Sequence, residues 1–292
     1  MTEFKAYQNE DYQALCDFLI ELNRDSKDHI NWNWARFEWM AVHPLTDKEH
    51  LDTIGLWIDE GKIVGAAIYD MYFGEAFCAA LPAHSHLYPE ILDYAYRALM
   101  DENGLGIAIR DDNRFELEAA EKAGFTKAEQ TETVMRIPLD NAFPVELPDG
   151  YRFENLDPGT EAYDFQWLLW QGFDHGVDRA EFEREDPIVP QIRRHLDPYL
   201  SVAAVNADGE KVAYCCVWYS DQTDYAYIEP VCVIPSCRGK GLAKAVIYEA
   251  LNRAEARGAT CAYVLSDMDF YQKLGFQPFR HYTFYHRSSK RD

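Results

Sequence analysis

The chain has little with which to build a metal centre or a disulfide framework. Its seven cysteines are scattered through 292 residues; Cys215 and Cys216 are adjacent, and no C-x-x-C pair occurs. That spacing argues against a zinc ribbon or a disulfide-stapled scaffold, and no metal site is expected. Buried, reduced thiols fit a cytoplasmic protein. No apolar run approaches the ~18 residues of a membrane span. The start, Met1-Thr2-Glu3-Phe4-Lys5, has no signal-peptide pattern. H-E-x-x-H, the Walker phosphate loop and G-x-S-x-G are all missing, and with them the signatures of zinc proteases, P-loop NTPases and α/β-hydrolases. Positive charge is scarce as well. Lys and Arg number 28 against 50 Asp and Glu, a formal net charge of −22. Such a chain repels a phosphate backbone, so neither nucleic acid nor an anionic membrane is an expected partner. Two explanations of the acidity stay open: solubility, or attraction of a cationic amine.

What is present is enough apolar material, 48% of residues, for packed cores, and the length favours two domains over one. One stretch organises the rest: Val231-Cys232-Val233-Ile234-Pro235-Ser236-Cys237-Arg238-Gly239-Lys240-Gly241-Leu242-Ala243. Apolar alternation before Pro235 suits a strand. From Ala243 onward, Val246, Ile247, Ala250, Leu251 and Ala254 form one stripe of a helix, and Gly258 supplies a stop. Glycines between strand and helix uncover backbone N–H groups at the positive end of the helix dipole, where a phosphate or pyrophosphate can bind. Arg238, Lys240 and Lys244 concentrate positive charge at the same place. An ordinary strand–helix turn is the competing reading.

Downstream lies Phe270-Tyr271-Gln272-Lys273-Leu274-Gly275-Phe276. Together, Arg238-x-x-Gly241-x-Ala243 and Phe-Tyr-x-Lys-Leu-Gly-Phe resemble the GNAT family of acetyl-CoA-dependent N-acetyltransferases. The first matches that family's pyrophosphate loop, the second its C-terminal tyrosine motif. The resemblance is clear over about residues 199–287. It implies an α/β fold with a mixed (α+β) sheet, acetyl-CoA (coenzyme A) as co-substrate, and a small-molecule or peptide amine as acceptor.

An internal repeat extends the reading. Ala123-Gly124-Phe125 and Leu274-Gly275-Phe276 lie about 150 residues apart, as do Lys62 and Lys211 in similar strands, and that spacing is one domain's length. Two tandem GNAT folds are therefore expected: a degenerate copy over 1–140, a Pro-containing linker over 141–150, and an active copy over 151–292. In layout this resembles mycothiol synthase, a likeness that does not carry the substrate with it. Where the second copy has its glycine loop, the first has Leu81-Pro82-Ala83-His84-Ser85-His86-Leu87-Tyr88-Pro89, and Ala120 stands where Tyr271 does. Trp32, Trp34 and Trp39 either pack a core or line a pocket. His84 and His86 read as loop histidines.

In the strand Tyr225–Val233, Pro230 cannot donate to a ladder and marks a bulge or an edge. The resemblance implies a bulged central strand there. The backbone of Val231, Cys232 and Val233 would line the pantetheine arm, and Arg238, Gly239, Lys240, Gly241, Leu242 and Ala243 would hold the pyrophosphate. An N–H of Val231 or Val233 would bond the thioester oxygen. Glu229 either takes the amine's proton or binds the cationic substrate without moving one. Tyr271 would meet the thioester sulfur and donate to the leaving thiolate. Phe276 to Arg287 would close the second sheet. One departure from the family pattern is Val264, at a position where an asparagine is common. A different class stays open beside the enzyme, a non-catalytic acyl-CoA-binding or sensing protein. It would keep the loop and make no use of Tyr271 or Glu229.

Overall fold

A computed structural model describes residues 2–186, 188–192 and 194–289. Pro187, expected from the sequence to interrupt a helical segment, lies outside the described residues. In chain order the elements begin β1 (Glu3–Ala6), α1 (Tyr12–Leu22), α2 (Trp34–Val42), β2 (Gly55–Asp59), β3 (Lys62–Asp70), β4 (Tyr72–Ala80), α3 (Tyr88–Leu99), β5 (Gly104–Arg110), α4 (Arg114–Lys122) and β6 (Thr126–Pro138). They continue with β7 (Arg152–Asn155), α5 (Ala162–Gly172), α6 (Arg179–Glu185), β8 (Ser201–Val205), β9 (Lys211–Tyr219), β10 (Tyr225–Val233), α7 (Leu242–Arg257), β11 (Cys261–Leu265), α8 (Asp269–Lys273) and β12 (Gln277–Ser288). Among the described residues no helix is long and apolar enough to cross a membrane.

The contacts divide the chain into two compact units. One holds residues up to 135 with 265–267 and those from 278 on; the other holds 136–264 and 268–277. In the first unit the strand order is β1-β2-β3-β4-β5-β12-β6. Antiparallel pairs link β1 through β4, β4 runs parallel to β5, and β12 is antiparallel to β5. Ile63 to Tyr69 are buried without a break, as in a strand covered on both faces; α1 and α3 pack on it. Where the sequence lacks its glycine loop, a 3-10 turn over Pro82–Leu87 leads into α3. Ala120 is fully buried in α4, and Asn113 caps that helix by accepting from the Glu116 N–H at 3.3 Å. His84 pairs with Asp59 at 3.2 Å.

In the second unit the order is β11-β10-β9-β8-β7, antiparallel throughout except for the parallel pair β10–β11. Val212 to Trp218 are again buried in one run, and both α5 and α7 pack on β9 and β10. The buried face of α7 is broader than the sequence stripe: Leu242 and Ala245 are inside, while Ala243 is half-exposed. Gly258 ends the helix in the left-handed conformation, φ +112°, its N–H turned back to the Ala254 and Glu255 carbonyls. Residues 141–150, expected as a linker, have no regular structure and fall within the second unit, to which they are tied down. The Phe143 N–H donates to Asn252 Oδ1 at 2.7 Å, Asn252 Nδ2 returns a bond to the Phe143 carbonyl at 3.0 Å, and the Phe143 ring stacks on Tyr248.

The units part from the sequence-level boundaries at the last strand. Gln277–Ser288 is a strand, but seven of its residues, Tyr282 to Ser288, pair with Arg110 to Gly104 of β5 in the first unit. Period-2 alternation identifies a strand and says nothing of its neighbour. A chain ending at Phe276 should therefore lose hydrogen-exchange protection over Gly104–Arg110. Unchanged protection there would show that β5 does not depend on β12.

Candidate active site

The site of the second unit begins where two parallel strands part. The β10–β11 ladder consists of Tyr225↔Cys261, Ala226↔Ala262 and Tyr227↔Tyr263, whereas β10 continues to Val233. On its other side β10 keeps its antiparallel partner, with a register shift between Ile228 and Val231. This bulge sits where Pro230 was expected to place one; the Glu229–Pro230 peptide is cis. After the shift, Val231, Cys232 and Val233 face Cys215, Tyr214 and Ala213. Their β9 side is thus bonded, and the side that faced β11 is left to other partners.

The three residues differ in what they present. Cys232 turns toward α5, its Sγ 3.8 Å from the Leu168 carbonyl, and burial pushes its thiol up to about 12. Val231 and Val233 are half-exposed. Cys232 therefore contributes backbone to the opening and side chain to the core. Helix α5 can come this close because residue 172 is glycine: a Cβ there would lie 2.6 Å from both Cys232 Cβ and Sγ. From sequence, Gly172 reads only as a weak helix position.

The loop after β10 is solvent-facing. A 3-10 turn over Pro235–Cys237 leads to Arg238, and Gly239 and Gly241 follow with φ of +76° and +83°. Both are left-handed conformations that favour glycine, and a Cβ at either would meet nothing within 4 Å. Gly241 is the N-cap of the sixteen-residue α7 and makes no side-chain cap bond. The first N–H groups of a helix have no intrahelical acceptor, so those of Leu242 and Ala243 point out of its positive end. This exposed turn offers a phosphate-bearing ligand free backbone N–H groups at a helix N-terminus.

Arg238 does something the sequence did not disclose. Its guanidinium donates to the Val233 carbonyl at 3.1 Å, to the Gly172 carbonyl at 2.9 Å and to Asp174 Oδ2 at 3.0 Å. It ties the loop to the end of β10 and to the C-terminal end of α5. Lys240 Nζ reaches the Tyr151 hydroxyl at 3.3 Å, and Lys244 lies 5.3 Å over the Tyr248 ring. Nothing local in the sequence marks Asp174 or Tyr151, which meet the loop from 64 and 89 positions away.

Tyr271 sits on the short α8 and is 8% exposed. Phe270 and Phe276 meet its ring edge-on at 5.2 and 5.5 Å. Burial, then the nearby Cys215 and Glu229, raises its hydroxyl well above the ordinary tyrosine range. The phenol is therefore neutral and a hydrogen-bond donor at any physiological pH. Glu229 is half-buried, and its backbone carbonyl accepts from the Trp218 indole at 2.7 Å. The structure thus brings Glu229 and Tyr271 into one electrostatic neighbourhood. Val264, in place of the family's common asparagine, is buried in β11. His175 is exposed, 5.1 Å from the Trp170 ring.

With this geometry in place, comparison with known proteins is informative. The model of the Acetyltransferase (GNAT) family matches residues 162–276. The chain carries a GNAT domain. Curated proteins offer no match. Among solved structures, a tandem GNAT protein from the clavulanic acid biosynthesis pathway aligns over 100% of both chains, with a TM-score of 0.66 and 15% identity. A GCN5-related N-acetyltransferase from Sphaerobacter thermophilus aligns over 98% of this chain and 95% of its own, at TM-score 0.57 and 17% identity. Saccharomyces cerevisiae N-myristoyltransferase aligns over 97% and 79%, at 0.55 and 13%. At these identities the structures share the fold alone, and that fold is the tandem GNAT fold. Mycothiol synthase is not singled out by any of them. The family match rests on residues 162–276, and it is that segment which it places among the GNAT acetyltransferases.

The contact between Gly172 and Cys232 yields a test. Gly172→Ala should destabilise the protein by about 1–3 kcal/mol, the usual range for overpacking, measured by urea denaturation. A neutral effect would mean that α5 and β10 separate freely.

Proposed function

We propose that the second unit is an acetyl-CoA-dependent N-acetyltransferase that moves an acetyl group to a primary amine by direct attack in a ternary complex. One observation carries the reading. The opening beyond Tyr227 has a glycine turn and helix N-terminus at the end of one strand, and Tyr271 just past the end of the other, with Glu229 on the opened strand. In this reading the N–H groups of Gly239 to Ala243 hold the pyrophosphate. Arg238 keeps the turn in shape, and Lys240 adds charge from solvent. The backbone of Val231, Cys232 and Val233 aligns the pantetheine arm. The acetyl thioester supplies the activated acyl group.

The chain's residues then act on the protons. The acceptor must attack as a free amine, and Glu229 takes the proton it sheds, directly or through water. An N–H of Val231 or Val233 bonds the carbonyl oxygen as charge builds there. Tyr271 donates a hydrogen bond to the departing sulfur. Its raised pKa lies above the ~8.5 of an ordinary thiol, so stabilisation of the thiolate by that bond is favoured over full proton transfer. The acceptor class is a small-molecule or peptide amine, and the net charge of −22 suits a cationic one.

Calorimetric titration tests the loop. Acetyl-CoA should bind the wild type one-to-one, and Gly241→Glu should weaken it about tenfold or more (about 1.4 kcal/mol). Two sites per chain would overturn the silence of the first unit, and no binding would end the transferase reading. Tyr271→Phe should lower kcat about 100-fold, within the range of one general acid or donor, while leaving acetyl-CoA affinity intact. Equal turnover in that variant would remove Tyr271 from the chemistry. Acetyl-CoA binding with no CoA release across a panel of amines would favour an acyl-CoA sensor.

A further inference from the structure

The first unit contains a cavity of its own. It opens where β4 leaves β5, whose parallel pairing is confined to Glu75↔Gly106 and Ala76↔Ile107. The inner chamber is small, about 30 Å³, room for a water-sized group. Asp70, Glu75 and Phe284 line both this chamber and an outer groove of about 470 Å³. Trp32 and Phe77 form its apolar wall, stacked at 5.9 Å.

Its charges do not balance. Asp70, Glu75 and Glu132 face one guanidinium, that of Arg36. Arg36 is committed to Asp70 at 2.7 Å and to the Asn31 carbonyl at 2.9 Å, and reaches Glu132 only at 3.8 Å. Asn31 Nδ2 donates to Glu132 at 3.3 Å. Asn31 is 4% exposed, and its Oδ1, a hydrogen-bond acceptor, has no donor among the described residues. The Trp32 indole N–H is equally buried and lacks an acceptor among the described residues.

We propose that this cavity is a binding site for a small organic cation, a short primary ammonium compound with an oxygen beside its charged group. The ammonium donates to Asn31 Oδ1 and to Glu132, and the oxygen accepts from Trp32. The Arg36 guanidinium already lies over the Trp32 ring at 4.8 Å, so the pull on the cation comes from the carboxylates, and the outer groove admits the rest of the molecule. Burial raises the Glu132 carboxyl more than Arg36 lowers it, the state of a carboxylate short of positive charge. All these residues belong to the first unit, so the site is separate from the acyl-transfer site proposed for the second and does not depend on it.

Ethanolamine is the probe, titrated calorimetrically into the full chain, with acetate as the anionic control. Ethanolamine should bind and acetate should not. Glu132→Gln should weaken the ethanolamine site about tenfold or more (about 1.4 kcal/mol), while Glu229→Gln in the second unit should leave it in place. Independently of any cavity variant, the indole ¹⁵N–¹H signal of Trp32, assigned through Trp32→Phe, should shift with ethanolamine and not with acetate. No binding, binding untouched by Glu132→Gln and lost in Glu229→Gln, or a still Trp32 signal would each overturn the proposal.

Discussion

Backbone hydrogen-bonding groups inside a protein must find partners, and the central strand of the second unit gives up one row of them. Beyond Tyr227, β10 has β9 on one side and no ladder with β11 on the other. Pro230 and the register shift around it let the strand change course without losing β9. Three features take their places from that divergence. Glu229 lies at the bend, the glycine turn caps the end of one strand, and Tyr271 follows the end of the other. A sheet that stayed paired would leave no such opening.

The first unit makes the same departure and finishes it differently. Its parallel pair is confined to two registers, and the gap beside it is narrowed by Trp32 and Phe77. A proline-led 3-10 turn replaces the glycine turn, so no left-handed glycines leave backbone N–H groups free to meet a phosphate. Ala120 is packed away where the other copy has a phenol. One architecture therefore carries a reactive-looking opening in one copy and a small polar pocket in the other. The difference lies in a handful of side chains, not in the fold.

Local signals in the sequence were strong where local physics decides. Val231 to Ala243 read as strand, turn and helix because alternation, glycine and helical spacing act over a few residues. Even there the buried face of α7 is broader than the stripe: Leu242 and Ala245 join Val246, Ile247, Ala250, Leu251 and Ala254 inside, and Ala243 is half-exposed. What stayed hidden depends on distant partners. The anchoring of Arg238 by Asp174 and Gly172, the fit of Gly172 over Cys232, and the unmet polar atoms of Asn31 and Trp32 arise only when separate elements meet. The tryptophans around position 34 fit core or pocket equally by sequence, and they divide: Trp34 is core, while Trp32 also lines a cavity.

The strand β12 makes this dependence acute. It lies between β5 and β6 of the first unit, though the chain reaches it after nearly all of the second has been laid down. Domains usually fold as they leave the ribosome, N-terminal first. Here the leading unit has an unfilled position in its sheet until the last strand emerges, and the exposed edges of β5 and β6 must wait for it. Contacts of such long sequence separation slow folding, and unpaired edges invite wrong partners. The order of synthesis and the order of completion are thus opposed. The second unit, read later, has its strands β7 to β11 in hand before the first is whole.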